Sequence, residues 1–100
     1  MKGIELIAQE RSEQIEKHNR TIDNDVLLNN ERQLAIAASG LLYEPEKEDA
    51  IPALQSRYIF QPYGWDTKIW EKMCEKSYKD RLVIAGALIA AEIDRITKQG

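Results

Sequence analysis

The sequence predicts an all-α fold, an antiparallel bundle of about four helices, and three observations lead to it. Apolar residues recur at helical spacing in several parts of the chain. No stretch alternates apolar and polar residues strongly enough to predict a sheet. Residues 82–91 carry no polar side-chain atom, and a helix that is apolar all round must be covered on more than one side. The last helix is therefore expected to be the central one.

The first predicted helix covers residues 3–18. Its apolar stripe contains Ile4, Ile7, Ala8 and Ile15. Arg11 lies inside this stripe, and two interpretations stay open. In the first, the methylene groups of Arg11 pack against the stripe while its guanidinium reaches solvent. In the second, the guanidinium is buried and paired with a carboxylate from another helix, because a buried charge needs a partner.

A polar turn is expected over residues 19–25, followed by a second helix that begins near 26–30 and ends near Leu42. The predicted apolar stripe of that helix is Leu27, Leu28, Leu34, Ala35, Ala38, Leu41 and Leu42. Glu31 falls at the centre of the stripe. It is either a first-turn residue that complements the helix dipole, or a carboxylate whose burial requires an ion partner or a metal.

A long connection rich in proline and aromatic residues separates the second helix from the later ones, over residues 43–64. Residues 51–58 are expected to hold a short helical turn. Four aromatic residues are predicted to anchor the connection to the helices, with stacking on a base as the alternative use of such rings. They are Phe60, Tyr63, Trp65 and Trp70.

Two helices are predicted in the C-terminal third. A short one over 67–74 is capped by Asp66, and the main one over 78–98 follows a capping signal, Ser77 with Asp80. One stripe of the main helix is expected to face a neighbour: Leu82, Ala85, Gly86, Ile89, Ile93 and Ile96. Glycine in mid-helix costs about 1 kcal/mol relative to alanine, so either close packing or a ligand is expected to offset this cost at Gly86.

Length and composition indicate one helical domain, residues 1–100. A net charge of −3 argues against nucleic acid as a partner held by electrostatics. Cys74 is the sole cysteine, which excludes an intramolecular disulfide and fits a cytoplasmic protein. Residues 82–91 make about half the length needed to cross a bilayer, so no membrane association is expected. So short a chain is expected to cover its all-apolar helix by forming a homo-oligomer.

The chemistry that composition leaves open rests on helical carboxylates. His18 is the single histidine and no Cys-x-x-Cys pair occurs, which argues against an ordinary zinc site. Carboxylates converging from two helical hairpins suit Mg²⁺, and Mg²⁺ with a polyphosphate supports hydrolysis by charge neutralisation and an activated water. Basic residues cluster over 68–81 and are candidates for contacting phosphate.

Five motifs together resemble a known group of proteins. They are Glu10-Arg-x-x-Gln14-Ile-Glu, Thr21-Ile-Asp-Asn-Asp25, Gln33-Leu-Ala-Ile-Ala-Ala38, Pro62-Tyr-Gly-Trp65-Asp and the stretch from Arg81 to Arg95. This set resembles small phage and prophage proteins, which look like remote, reduced relatives of the MazG-like all-α nucleoside triphosphate pyrophosphohydrolases. The resemblance implies a helical bundle, usually oligomeric. It also implies acidic motifs on two helices that bind Mg²⁺, with a nucleoside monophosphate and pyrophosphate as products.

Carried onto this chain, the resemblance implies Mg²⁺ ligands at Glu31, Asp80 and Glu92. It implies phosphate contacts from Lys76, Lys79 or Arg81. The enzymes carry two carboxylates separated by two residues on each metal-binding helix, and neither helix here repeats that pair. The position before Leu34, which is glutamate in the phage-type proteins, is Gln33.

Two functions are therefore predicted. The preferred one is a non-catalytic or degenerate MazG-like helical module of phage or mobile-element type, which binds a protein or a nucleotide. The alternative is a Mg²⁺-dependent nucleoside triphosphate pyrophosphohydrolase. Carboxylates clustered in one cleft would favour the enzyme. Carboxylates paired with Arg11, Arg32 or Arg95 would favour the binding module, because their charges would be structurally satisfied.

Overall fold

The computed structural model describes residues 2–18, 21–43 and 59–99, in which all regular secondary structure is helical. The helices within these ranges are α1 Gly3–His18, α2 Ile22–Leu28, α3 Gln33–Leu42, α4 Thr67–Cys74 and α5 Tyr78–Gln99. The predicted all-α class is confirmed, and the described residues contain five helices rather than about four. The antiparallel order of the bundle stays a prediction.

α5 is the central element, as its apolar sequence predicts. It packs most extensively against α3, then against α1 and α2. The core between these helices and α4 consists of Leu34, Ala37, Ala38, Leu41, Trp70, Cys74, Ile84, Ala85, Leu88 and Ala91. None of the helices in the described ranges combines the length and the apolar character needed to cross a membrane.

The polar turn predicted over 19–25 is wrong from residue 22 onward, because α2 occupies that place. Thr21 caps the helix: its side chain accepts a hydrogen bond from the Asn24 N–H at 3.2 Å. Asp23 and Asp25 lie in the first turn, where carboxylates complement the helix dipole. Asx residues favour a helix start as readily as a turn, and here the threonine cap selects the helix.

The predicted start of the next helix near 26–30 is also wrong, since α3 begins at Gln33. Arg32 has a φ of 68°, a left-handed conformation that ends the turn between α2 and α3. The side chain of Gln33 braces this turn. Its oxygen accepts the Glu31 N–H at 2.6 Å, and its amide donates to the Leu28 carbonyl at 3.3 Å. A glutamate at this position, when ionised, would have no proton for the second bond.

Three of the four predicted aromatic anchors pack as expected. Trp70 is fully buried, and Phe60 and Trp65 pack against the core. A Cβ atom at Gly40 would lie 2.5 Å from Phe60 Cβ, so glycine is what lets α3 approach this segment. The prediction for Tyr63 is wrong, because it is 83% exposed. The helical turn predicted over 51–58 lies outside the described residues.

The stripe of α5 that was expected to face one neighbour is covered only in part. Ala85 is buried, and a Cβ atom at Gly86 would lie 2.6 Å from the tip of Ile7, so the predicted close packing at this glycine is confirmed. The large residues of the stripe are 37–58% exposed. They are Leu82, Ile89, Ile93 and Ile96, and we call them the α5 row.

Candidate functional site

A cavity with a volume of about 510 Å³ lies beside the turn between α2 and α3. One wall comes from α2 and the residues up to Gln33, the other from residues 63–66 with Ile69 of α4. The volume lies within the range of ligand-binding pockets. We call it the α2–α3 cavity.

A tight turn presents the aromatic wall of this cavity. The Trp65 N–H donates to the Pro62 carbonyl at 3.2 Å, and Gly64 has a φ of +84°. A positive φ at the third position is what a type II turn requires, and glycine adopts it without steric cost. Tyr63 and Trp65 therefore flank the glycine and both line the cavity.

A chain of hydrogen bonds then fixes the indole against α2. Trp65 Nε1 donates to Asn29 Oδ1 at 2.9 Å, and Asn29 Nδ2 donates to Asp25 Oδ1 at 2.8 Å. Asp25 and Asn29 are four residues apart and lie on the same face of α2. The chain runs from the cavity wall into the protein, because Asp25 is only 1% exposed.

Behind the cavity, α5 supplies a buried cation to the Asp25 carboxylate. Arg95 Nε donates to Glu92 Oε1 at 2.5 Å, and both side chains are buried. The hydrogen bond to Glu92 raises the pKa of Arg95. Burial opposes this, and the charges of Glu92 and Asp25 reinforce it. Arg95 thus carries a positive charge next to two carboxylates in the protein interior.

A second ion pair joins α1 to α5. Arg11 NH2 lies 3.8 Å from Asp94 Oδ2, and the Arg11 side chain is only 11% exposed. The guanidinium is therefore buried and paired across helices, the second of the two interpretations that the sequence left open. Arg11 and Arg95 both direct their charge toward carboxylates of the bundle.

The rim of the α2–α3 cavity is unusually apolar for an exposed surface. Leu27 is 73% exposed and Leu28 is 71% exposed, and Tyr63 and Ile69 stand on the opposite side. Both leucines belonged to the predicted apolar stripe, and their expected burial is wrong because α2 and α3 are separate helices. Large apolar groups gathered around one opening are typical of an interaction surface.

The three predicted Mg²⁺ ligands are not brought together. Glu31 is exposed in the turn between α2 and α3, outside either helix. Asp80 is exposed in the first turn of α5, and Glu92 lies twelve residues further along that helix, about 18 Å away along its axis. Across the described ranges, no group of three or more His, Cys, Asp or Glu side chains is placed to hold a metal ion.

The three predicted phosphate contacts have different surroundings. Lys76 and Lys79 are exposed. Arg81 is buried, and its guanidinium donates to the carbonyls of Leu41 at 2.9 Å, Lys76 at 3.1 Å and Tyr43 at 3.2 Å. Arg81 thereby ties the C-terminal end of α3 to the start of α5.

The sequence prediction placed Asp25 in a turn and did not connect it with Asn29. The signal for their partnership was present: Asp25 and Asn29 have the i, i+4 spacing of a helix, behind the cap residue Thr21. Assigning this segment to a turn concealed that spacing. The pairing of Asn29 with Trp65, 36 residues away, has no local signal.

The chain matches no protein-family model, no curated protein and no solved structure.

Proposed function

We propose that this chain is a non-catalytic, MazG-like helical module that binds a partner protein at the α2–α3 cavity. One observation carries the proposal: carboxylates on α2 and α5 lie next to two buried arginines, Arg95 and Arg11. Glu92 pairs with Arg95, Asp25 adds to the charge around Arg95, and Asp94 pairs with Arg11. A carboxylate neutralised in this way serves the fold, since separating it from its cation leaves a costly buried charge.

The walls of the cavity favour a protein partner over a nucleotide. Glu31 and Asp66 contribute exposed carboxylates to the lining, and His18 is the basic residue among the lining side chains. Such a lining repels phosphate groups. The apolar rim and the Trp65 ring suit apolar side chains, and the carboxylates suit a lysine or arginine on the same segment.

The non-catalytic half of the proposal is tested by pyrophosphate release. We expect no release from ribo- or deoxyribonucleoside triphosphates with Mg²⁺ or Mn²⁺, either from the wild type or from Glu31→Gln. An active pyrophosphohydrolase serves as the assay control, and circular dichroism establishes that both proteins are folded. Metal-dependent release that Glu31→Gln abolishes would establish the enzyme instead and place its site beside α2.

The binding half is tested on an array of amphipathic helical peptides that differ in their basic residues. We expect capture of peptides that combine leucine or isoleucine with a lysine or arginine. Leu27→Ser and Tyr63→Ser should each abolish it. Ile59→Ser is the matched control, because Ile59 is 80% exposed and does not line the cavity. Capture that survives both cavity variants, or no capture at all, would contradict the proposal.

The α5 row supports a second element of the prediction, self-association. Its four side chains follow the spacing of a coiled-coil seam on one helix, and all four are partly exposed. A second copy carries the same row, and pairing two such rows removes both from water. The protein is thus proposed to form a homo-oligomer through α5, in the predicted cytoplasmic setting.

A further inference from the structure

A second cavity, of about 320 Å³, lies between α1, α4 and α5. α1 contributes Glu10 and Gln14, α4 contributes Lys72 and Met73, and His18 stands where this cavity borders the α2–α3 cavity. Its volume is at the small end of the range for ligand pockets. The two cavities differ in charge, and this difference indicates a different occupant.

Lysines dominate the charge of the second cavity, although the whole chain is acidic. Lys72 and Lys76 both line it and face one carboxylate, Glu10. Burial raises the pKa of Glu10, as does the charge of Glu13, while His18 and Lys76 act in the opposite direction. Glu10 carries the negative charge that would repel an anion in this cavity. Because burial disfavours its ionised form, this repulsion is reduced.

The inner wall carries a buried acceptor without a donor. Gln14 is only 4% exposed, and its side chain forms a hydrogen bond with the Glu10 carboxylate. Its Oε1 atom is buried, and no donor in the described part of the chain reaches it. Buried polar atoms are almost always paired, and leaving one unpaired is costly. An N–H or O–H group of a ligand is the donor that this oxygen lacks.

The remaining wall is apolar. Ile84 of α5 is buried at the core, and Met73 packs against the same core from α4. Both line the cavity. A thioether side chain adapts to irregular apolar groups, so this wall suits a small branched or aromatic body.

We propose that the second cavity binds a small amphipathic carboxylate. The carboxylate lies between Lys72 and Lys76, the apolar body rests on Met73 and Ile84, and an adjacent N–H or O–H donates to Gln14 Oε1. This site borders the partner surface at the α2–α3 cavity, and His18 and Ile69 line both cavities. Neither proposal depends on the other.

The first test compares three ligands by isothermal titration calorimetry. N-acetyl-L-leucine carries the carboxylate, the N–H and the branched body; N-acetyl-L-leucinamide lacks the charge, and acetate lacks the body. We expect N-acetyl-L-leucine to bind about tenfold more tightly than either, the ratio that one charge-assisted hydrogen bond contributes. Equal affinity for all three, or no binding of N-acetyl-L-leucine at millimolar concentration, would overturn the proposal.

The second test uses matched lysine variants. Lys76→Met should weaken binding of N-acetyl-L-leucine by about tenfold, because it removes one charged donor. Lys79→Met is the control, since Lys79 is equally exposed, lies three residues away and does not line the cavity. An equal loss of affinity in both variants would mean that basic residues attract the ligand without a specific site, and it would overturn the proposal.

The role of Gln14 is tested by Gln14→Met and Gln14→Glu. Gln14→Met removes the acceptor and should weaken binding. Gln14→Glu adds a second carboxylate beside Glu10 and should weaken binding further by repulsion. Thermal melts establish that each variant is folded, and Lys76→Met, at an exposed residue, tests the site if the core variants do not fold. Unchanged affinity in a folded Gln14→Met protein would contradict the placement of the donor.

Discussion

Two buried arginines of this protein are matched by nearby carboxylates. Arg95 lies near two carboxylates, Glu92 from its own helix and Asp25 from α2. Arg11, buried on α1, pairs with Asp94 of α5, whose side chain is half-exposed. Removing one member of such a pair costs more than the pair contributes, because the other charge is left in the interior. We infer that these groups specify how the helices meet rather than where a metal binds.

Glu10 is the residue for which pH dependence is predicted. Its pKa is raised by burial, so folding favours the protonated carboxyl. That contribution is present at pH values below the carboxyl's usual pKa, about 4.3, and is lost as the pH rises through the raised value. Glu10→Gln should therefore raise the melting temperature at pH 7 and change it little at pH 3.

The control for this prediction is Glu16→Gln, at an exposed position of the same helix. Thermal melts of the three proteins at both pH values provide the measurement. A melting temperature at pH 7 that is lower for Glu10→Gln than for the wild type would mean that attraction to Lys76 and His18 outweighs the cost of burial.

At the scale of elements, side chains at the helix ends decide where each helix begins. Thr21 caps α2, Asp66 accepts the Ile69 N–H at the start of α4, and Ser77 accepts the Asp80 N–H at the start of α5. The caps at Asp66 and Ser77 were read correctly from the sequence. Each satisfies a backbone N–H that the helix itself leaves unpaired.

Arg81 connects two elements, and its replacement is predicted to loosen both. Arg81→Lys keeps the charge but cannot reach three carbonyls with a planar fork of donors. We expect a loss of roughly 3 kcal/mol in the free energy of unfolding, the scale of one or two hydrogen bonds to a charged group. Urea denaturation measures it.

Lys79→Met is the control for Arg81→Lys, because Lys79 is exposed two residues before it. That variant should change the free energy of unfolding by less than about 0.5 kcal/mol. If Arg81→Lys also leaves the free energy of unfolding unchanged, the hydrogen bonds from Arg81 do not contribute to stability. A role for Arg81 in contacting phosphate would then be the better explanation of this residue.

At the scale of the whole molecule, α5 is covered by α1, α2 and α3 and still leaves the α5 row partly in water. A radius of gyration of 13.5 Å is close to the value of about 13 Å for a compact domain of this length. The described helices are thus well packed, and the exposed row is a property of the surface rather than of a loose core.

The whole-molecule prediction is that this surface mediates self-association. The wild type should sediment as a dimer or larger species in analytical ultracentrifugation, and Ile93→Asp should shift it to the monomer by placing a charge in the paired row. Ile59→Asp, at an exposed residue outside the row, should leave the wild-type species unchanged. A wild type that stays monomeric at high concentration would rule this interface out.

Much of the fold was predictable because it depends on local patterns. The bounds of α1, α4 and α5 follow from helical periodicity and from caps next to the helices they start, and the central place of α5 follows from its apolar residues. The errors in helix bounds fall on residues 22–32, where Asx residues suit a turn and a helix equally. There the cap at Thr21 and the Gln33 brace decide the outcome.

The sequence alone determined the helical class and the central helix, and it marked Arg11 as a charge within an apolar stripe. Only the tertiary structure decided which charges meet, that Trp65 reaches Asn29, and that the described residues gather no group of three side chains able to hold a metal ion. The physical reason is how far apart along the chain the interacting residues lie. Helix formation depends on residues three or four positions apart, whereas the cavities and the buried ion pairs depend on groups that meet only when separate helices pack.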